Sequence, residues 1–123
     1  MPAIDLARRD RPGKEGKSFV PQAGLDSAVK GLLVEIQDSL LKRATEFRDA
    51  NIHDAKTYDE LKEIVKDGWA FSYWCESREC ETKVKEENKA TTRNIPFDQP
   101  KEEGACVVCG KPSKRKVYFA KAY

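Results

Sequence analysis

Trp69-Ala70-Phe71-Ser72-Tyr73-Trp74-Cys75-Glu76-Ser77-Arg78-Glu79-Cys80 holds the fold in outline. From Trp69 to Trp74 aromatic and small residues alternate, the period-two pattern of a half-buried strand. Core packing is the expected use of those rings, because no basic residues interleave with them as a base-stacking platform requires. The strand runs into Cys75. Cys80 follows near the start of a helix predicted over residues 79–88, with Cys80, Val84 and Glu87 on one side. The positive end of that helix favours a thiolate.

Upstream, Thr57-Tyr58-Asp59-Glu60 is a capping box, in which the Thr57 hydroxyl serves the Glu60 amide and the Glu60 side chain reaches back. It opens a short helix burying Leu61, Ile64 and Val65 and stopping at Gly68. Residues 51–56 read as a polar linker, with His53 exposed in it. Before that, Leu25, Val29, Leu32, Leu33, Ile36, Leu40, Ala44 and Phe47 form one apolar helical stripe about six turns long. Asp26 or Ser27 can cap its start, and core packing is its expected use. Ile4–Arg9 and Ser18–Val20 read as two strands joined by the turn residues 11–16. Two strands alone are marginal in water, so the hairpin reads as part of something larger.

Downstream, a strand is predicted from Thr91 to Phe97, ended by Pro96. Residues 99–104 are loop, and Val117–Ala120 is a closing strand. From Thr57 onward the order is helix, strand, helix, strand, turn, strand, an α+β module.

The chain has 123 residues, 36% of them charged, and a net charge of +2. That excludes a strongly basic nucleic-acid tail and an acidic disordered chain. No stretch approaches the roughly 20 apolar residues of a membrane span, and the N-terminus lacks the apolar region of a secretory signal. A reducing compartment, the cytoplasm, is expected. One local basic cluster stands out near residue 123, made of Lys111, Lys114, Arg115, Lys116 and Lys121 without an acidic neighbour. Its ordinary reading is solvated surface; contact with RNA phosphates is the alternative.

The four cysteines fall as Cys75-x4-Cys80 and Cys106-x2-Cys109, two close pairs across a long insert. That is the layout of a four-thiolate zinc site, each pair supplying two ligands from one local turn. Gly110 lets the second pair fold back as a knuckle. With all four positions thiolate the site is closed, hence structural. A redox Cys-x-x-Cys would leave Cys75 and Cys80 unexplained, and disulfides conflict with a reducing compartment. No Gly-rich phosphate loop and no Ser/His/Asp set is present, so the residues read as a zinc-stapled structural or binding module and not as a self-sufficient enzyme.

Gly68-Trp69-Ala70, Trp74-Cys75, Cys80-Glu81, Lys85-Glu86-Glu87, Ala90-Thr91-Thr92-Arg93-Asn94-Ile95-Pro96-Phe97, Cys106-Val107-Val108-Cys109-Gly110-Lys111-Pro112-Ser113 and Val117-Tyr118-Phe119-Ala120-Lys121-Ala122-Tyr123 resemble the C-terminal zinc domain of archaeal/eukaryotic-type prolyl-tRNA synthetase. The hairpin resembles the end of that enzyme's anticodon-binding domain, and the long helix its linker. The resemblance implies three segments: 1–24 from the anticodon-binding domain, 25–56 as linker helix, and 57–123 as the zinc domain. It implies a small two-layer α+β sandwich similar to the C-terminal domain of translation initiation factor three. The four cysteines match the family's ligands for one structural Zn2+. Tyr123 matches the residue whose carboxylate approaches the catalytic domain, and Arg93 is a candidate positioning residue in the best-matched segment.

The class II catalytic motifs, ATP site and proline pocket are absent, so 123 residues alone cannot aminoacylate. Two readings stay open. One is the non-catalytic C-terminal part of a homodimeric enzyme that ligates proline to tRNA(Pro) with ATP, partnered by the rest of the synthetase. The other is a truncated stand-alone relative that binds RNA or protein.

Overall fold

The structure is a computed structural model and describes residues 2–122. It divides into two compact units at residues 47/48.

In the first unit β1 (Ala3–Ala7) pairs antiparallel with β2 (Lys17–Pro21) in an isolated two-stranded sheet. A 3-10 turn over Gly13–Gly16 joins them. Gly16 is buried, and a Cβ there would lie 1.9 Å from the Arg11 carbonyl oxygen. Helix α1 (Leu25–Ala50) follows. It starts one residue before the expected caps, behind Gly24 at φ 74°, and Asp26 instead sits in its first turn, where a negative charge favours the helix dipole. The expected apolar stripe is covered only in part. Ile36 is buried and Leu32 and Leu40 are half-buried, but Leu33, Ala44 and Phe47 are exposed. What closes this unit is polar. The Arg8 guanidinium donates to both carboxylate oxygens of buried Asp10 (3.0 and 2.9 Å) and to Glu35 (2.8 Å), and Arg43 donates to the Asp10 carbonyl (2.7 Å). Arg8 holds the Asp10 carboxyl down to about 2, helped by a Ser39 hydrogen bond.

The second unit carries the core. Its sheet has four strands in the order β3 (Ile52–Asp54), β4 (Trp69–Tyr73), β8 (Lys116–Lys121), β5 (Ala90–Asn94). β3 is a correction to the expected polar linker. One half-buried apolar residue, Ile52, gave no alternation to read; the strand exists because it pairs parallel with β4, across helix α2 (Tyr58–Ile64). The capping box at Thr57 is formed as expected. Helix α3 (Arg78–Asn88) ends at Lys89 in the left-handed conformation, φ 61°. Tyr58 ties the two helices, donating to Glu87 (2.6 Å) while accepting from Asn88 (3.0 Å). β5 stops at Asn94 after a bulge, short of the expected Phe97, whose ring is wholly exposed.

The larger correction concerns which face of β4 is inside. Ala70 and Ser72 point to the core, while Trp69, Phe71 and Tyr73 lie on the opposite face. The core's volume comes from elsewhere: Leu61 from α2 and Val65 from its C-terminal cap, Val84 from α3, Val117 and Phe119 from β8. A strand under two helices that bring large side chains has room only for small ones. Burying each of those five contributes roughly 1.5–3 kcal/mol. On the outer face Phe71 stacks on Tyr118 (centroids 4.5 Å apart, 21° between planes), and Trp69 meets Tyr118 edge-on at 6.1 Å. Among the described residues no helix is long and apolar enough to cross a membrane.

Candidate metal centre

The site is built where β4 runs out. Trp74, next after β4, donates its amide to the Arg115 carbonyl (2.9 Å) and its indole N–H to the Ser77 carbonyl (3.2 Å). Ser113 donates to the Trp74 carbonyl (2.5 Å). These bonds fix the strand end that presents Cys75. Glu76 takes a left-handed φ of 62°, which turns the chain at once into α3, capped by the Ser77 hydroxyl accepting from the Glu79 amide (3.2 Å). Cys80 then lies in the first turn of α3, buried.

The second pair comes from a knuckle. β6 (Gly104–Ala105) and β7 (Pro112–Ser113) form a two-stranded ribbon, one not expected from the sequence. Between them the Cys106 amide donates to the Lys111 carbonyl (2.8 Å) and the Gly110 amide to the Cys106 carbonyl (2.9 Å). Gly110 sits at φ 75°, a conformation a side chain would strain. The ribbon is held to the main sheet by the Val107 amide on the Tyr73 carbonyl (2.9 Å) and by the Tyr73 hydroxyl on the Glu102 carbonyl (3.0 Å). Gly104 is required there, since a Cβ would meet the Tyr73 ring at 2.3 Å.

This brings all four cysteines together. Their Sγ atoms lie within 4.8 Å of one another, with Cys75 at 3.6 Å from both Cys80 and Cys109. None is in a disulfide. A tetrahedron of sulfurs about 2.3 Å from a central ion has edges of about 3.8 Å, so the cluster has the size and donor set for a soft divalent metal. Cys106 and Cys80 are buried, Cys75 is half-buried and Cys109 is exposed. Burial pushes the Cys80 thiol up to about 12 and raises that of Cys75. The Lys111 backbone amide brings Cys109 down to about 7. Four sulfurs this close cannot all ionise at neutral pH without a cation among them.

The other sequence candidates lie apart from this chemistry. Arg93 is exposed on β5 and carries no ion pair among the described residues. His53 is exposed on β3. Tyr123 lies outside the described residues. The basic cluster is largely paired by the fold: Lys114 with Glu103 (3.2 Å), Arg115 with Glu76 (3.5 Å), and Lys116 with Asp54. Sequence reasoning missed Ser113 and Tyr73 as supports of the site. Only Ser113, within the matched knuckle segment, carried a hint.

Residues 58–123 match the family model described as Prolyl-tRNA synthetase, C-terminal. A proline--tRNA ligase of Roseiflexus sp. (strain RS-1) is 50% identical over 121 residues, covering 98% of this chain and 25% of that protein. The chloroplastic/mitochondrial proline--tRNA ligase of Arabidopsis thaliana is 42% identical over 125 residues, 23% of its length. Prolyl-tRNA synthetase from Cryptosporidium parvum, solved with halofuginone and AMPPNP, superposes with a TM-score of 0.86 at 26% identity, over 98% of this chain and 26% of that one. The chain thus spans about a quarter of the length of these relatives.

Proposed function

The chain belongs to the prolyl-tRNA synthetase C-terminal family, and from that premise we propose that it is a structural segment of an enzyme that ligates proline to tRNA(Pro) with ATP. Cys75, Cys80, Cys106 and Cys109 hold one Zn2+, which supplies no reaction step but ties the end of β4, the start of α3 and the knuckle into one piece. Residues 57–123 act as the appended domain, 25–56 as its linker and 1–24 as the end of the anticodon-binding domain. The enzyme works in the cytoplasm as a homodimer. Tyr123 is directed towards the catalytic domain, and Arg93 has a positioning role.

The observation that carries the reading is the thiol cluster, with its Sγ atoms inside 4.8 Å in a chain 50% identical to a proline--tRNA ligase over nearly its whole length. A closed thiolate set leaves no open position for substrate, so the metal's part is folding. Two measurements test this. Metal analysis of the purified chain is expected to give one zinc per chain, lost in Cys80→Ser; a folded, metal-free chain would overturn the zinc site. Aminoacylation by the full-length polypeptide is expected to charge tRNA(Pro) with proline, and absence of charging would overturn the parent activity.

A further inference from the structure

We propose that Cys109 is a peroxide-modification site, and that Cys75 closes on the oxidised sulfur to form a disulfide that opens the metal centre. The proposal rests on the zinc reading above, not on the parent enzyme's activity. Oxidation of a cysteine follows its thiolate character and its exposure. Metal binding requires all four sulfurs as thiolates, so access ranks them. The ranking is steep. Cys106 and Cys80 are 3% and 7% exposed, Cys75 is half-buried, and Cys109 stands at the surface. The fold sets that order. Cys80 is carried by α3, and Cys106 precedes the core residue Val107. Cys109 comes at the turn of the knuckle, just before Gly110 at φ 75°. Beyond its chain neighbours, no atom among the described residues lies within 4 Å of where a Cβ on Gly110 would sit, so the space beside Cys109 is open.

A second sulfur is in place. Cys75 Sγ lies 3.6 Å from Cys109 Sγ, and Cys75 is the most accessible of the other three cysteines. The Cys109 thiolate attacks hydrogen peroxide: an S–O bond forms, the O–O bond breaks, hydroxide leaves, and the sulfur becomes a sulfenic acid. The Cys75 thiolate then attacks that sulfur. The S–S bond forms, the S–O bond breaks, and a second hydroxide leaves. The two thiolates together give up two electrons, and the peroxide takes both. Cys80 and Cys106 remain as two ligands, half the set that a tetrahedral ion needs, so the site no longer holds it. Thiolate attack by a dithiol reductant reopens the disulfide and restores the four ligands. The centre that staples the fold is thereby also its reversible oxidation point.

The test uses the zinc-loaded full-length polypeptide and substoichiometric hydrogen peroxide. Zinc release is followed with a chromogenic chelator, sulfenic acid is trapped with dimedone, and disulfides are mapped by mass spectrometry. Dimedone is expected on Cys109 at about tenfold or more its level on Cys80 or Cys106. The first disulfide is expected to join Cys75 and Cys109, with zinc released in step and rebound after a dithiol reductant. Cys109→His keeps four zinc ligands and is expected to slow release about tenfold or more. If that variant does not hold zinc, the positions mapped in the unsubstituted protein decide. First modification at Cys80 or Cys106, a Cys75–Cys80 disulfide, or zinc retained through the treatment would overturn the proposal and leave the zinc centre standing. Release from Cys109→His at the unsubstituted rate would do the same. A protein purified without zinc would overturn the zinc reading, and this proposal with it.

Discussion

The two units of this chain are closed by different physics. Residues 48–122 have an apolar core, with Leu61, Val84, Val117 and Phe119 fully buried, and a thiol cluster beside it. Residues 2–47 have no comparable core. Asp10 and Ile36 are buried, whereas Phe19, Leu33, Val34 and Leu41 stand more than half exposed, at 61–76%. The hairpin and α1 are instead joined through the Arg8, Asp10, Glu35 and Arg43 hydrogen bonds. A non-directional core tolerates small shifts; a set of charged hydrogen bonds depends on every partner being present and ionised. The first unit should therefore answer to pH, and the second to metal and to side-chain volume.

The largest expected effect is metal removal. Chelation, or Cys106→Ser, should unfold residues 48–122, because structural zinc contributes on the order of 10–16 kcal/mol in small domains. Amide exchange across residues 3–40 should change little. Loss of protection in both units together would break the contrast. Next comes volume. Phe119→Ala should destabilise the second unit by about 3–5 kcal/mol, while Leu33→Ala on α1 should stay within about 0.5 kcal/mol; denaturant melts of the two variants check the difference. The pH prediction is third. Asp10 is held at about 2 against an ordinary 3.8. Its stabilising contribution is complete above the ordinary value and is lost as pH falls through about 2. Exchange protection around Asp10 and Ile36 should fall over that window, and Asp10→Asn should remove the dependence. The smallest effect concerns Ser72, whose buried hydroxyl has no hydrogen-bond partner among the described residues. Ser72→Ala should leave stability unchanged or raise it by up to about 1 kcal/mol, readable as a shift in melting temperature.

What the sequence made legible was local chemistry. The two cysteine pairs, the capping box at Thr57 and the knuckle glycine at Gly110 each need only a few consecutive residues to be recognised, and all appear in the structure. The α+β order was legible for the same reason. What required tertiary context was misread. β3 exists through parallel pairing with β4, and no pattern within residues 51–56 announces it. The alternation from Trp69 to Trp74 gave the strand but not its inner face, because a period of two is symmetric between faces and the bulk of α2 and α3 makes the choice. Lys114, Arg115 and Lys116 looked like a basic patch until the fold brought Glu103, Glu76 and Asp54 against them.

Strand β8 lies between β4 and β5, yet it follows both in the chain. On a translating ribosome the sheet therefore lacks its middle until the residues up to Lys121 have emerged. At ordinary elongation rates of about 5–20 residues per second the aromatic strand waits roughly 2–10 s for this partner. During that interval Trp69–Trp74 has only the short β3 to pair with, and its other edge is an open, uncharged, hydrophobic strand edge, the kind that recruits chaperones or aggregates. Cys75 and Cys80 wait a shorter time for Cys106 and Cys109, which emerge before β8. Biogenesis, more than the finished fold, is where this order of elements makes the chain vulnerable.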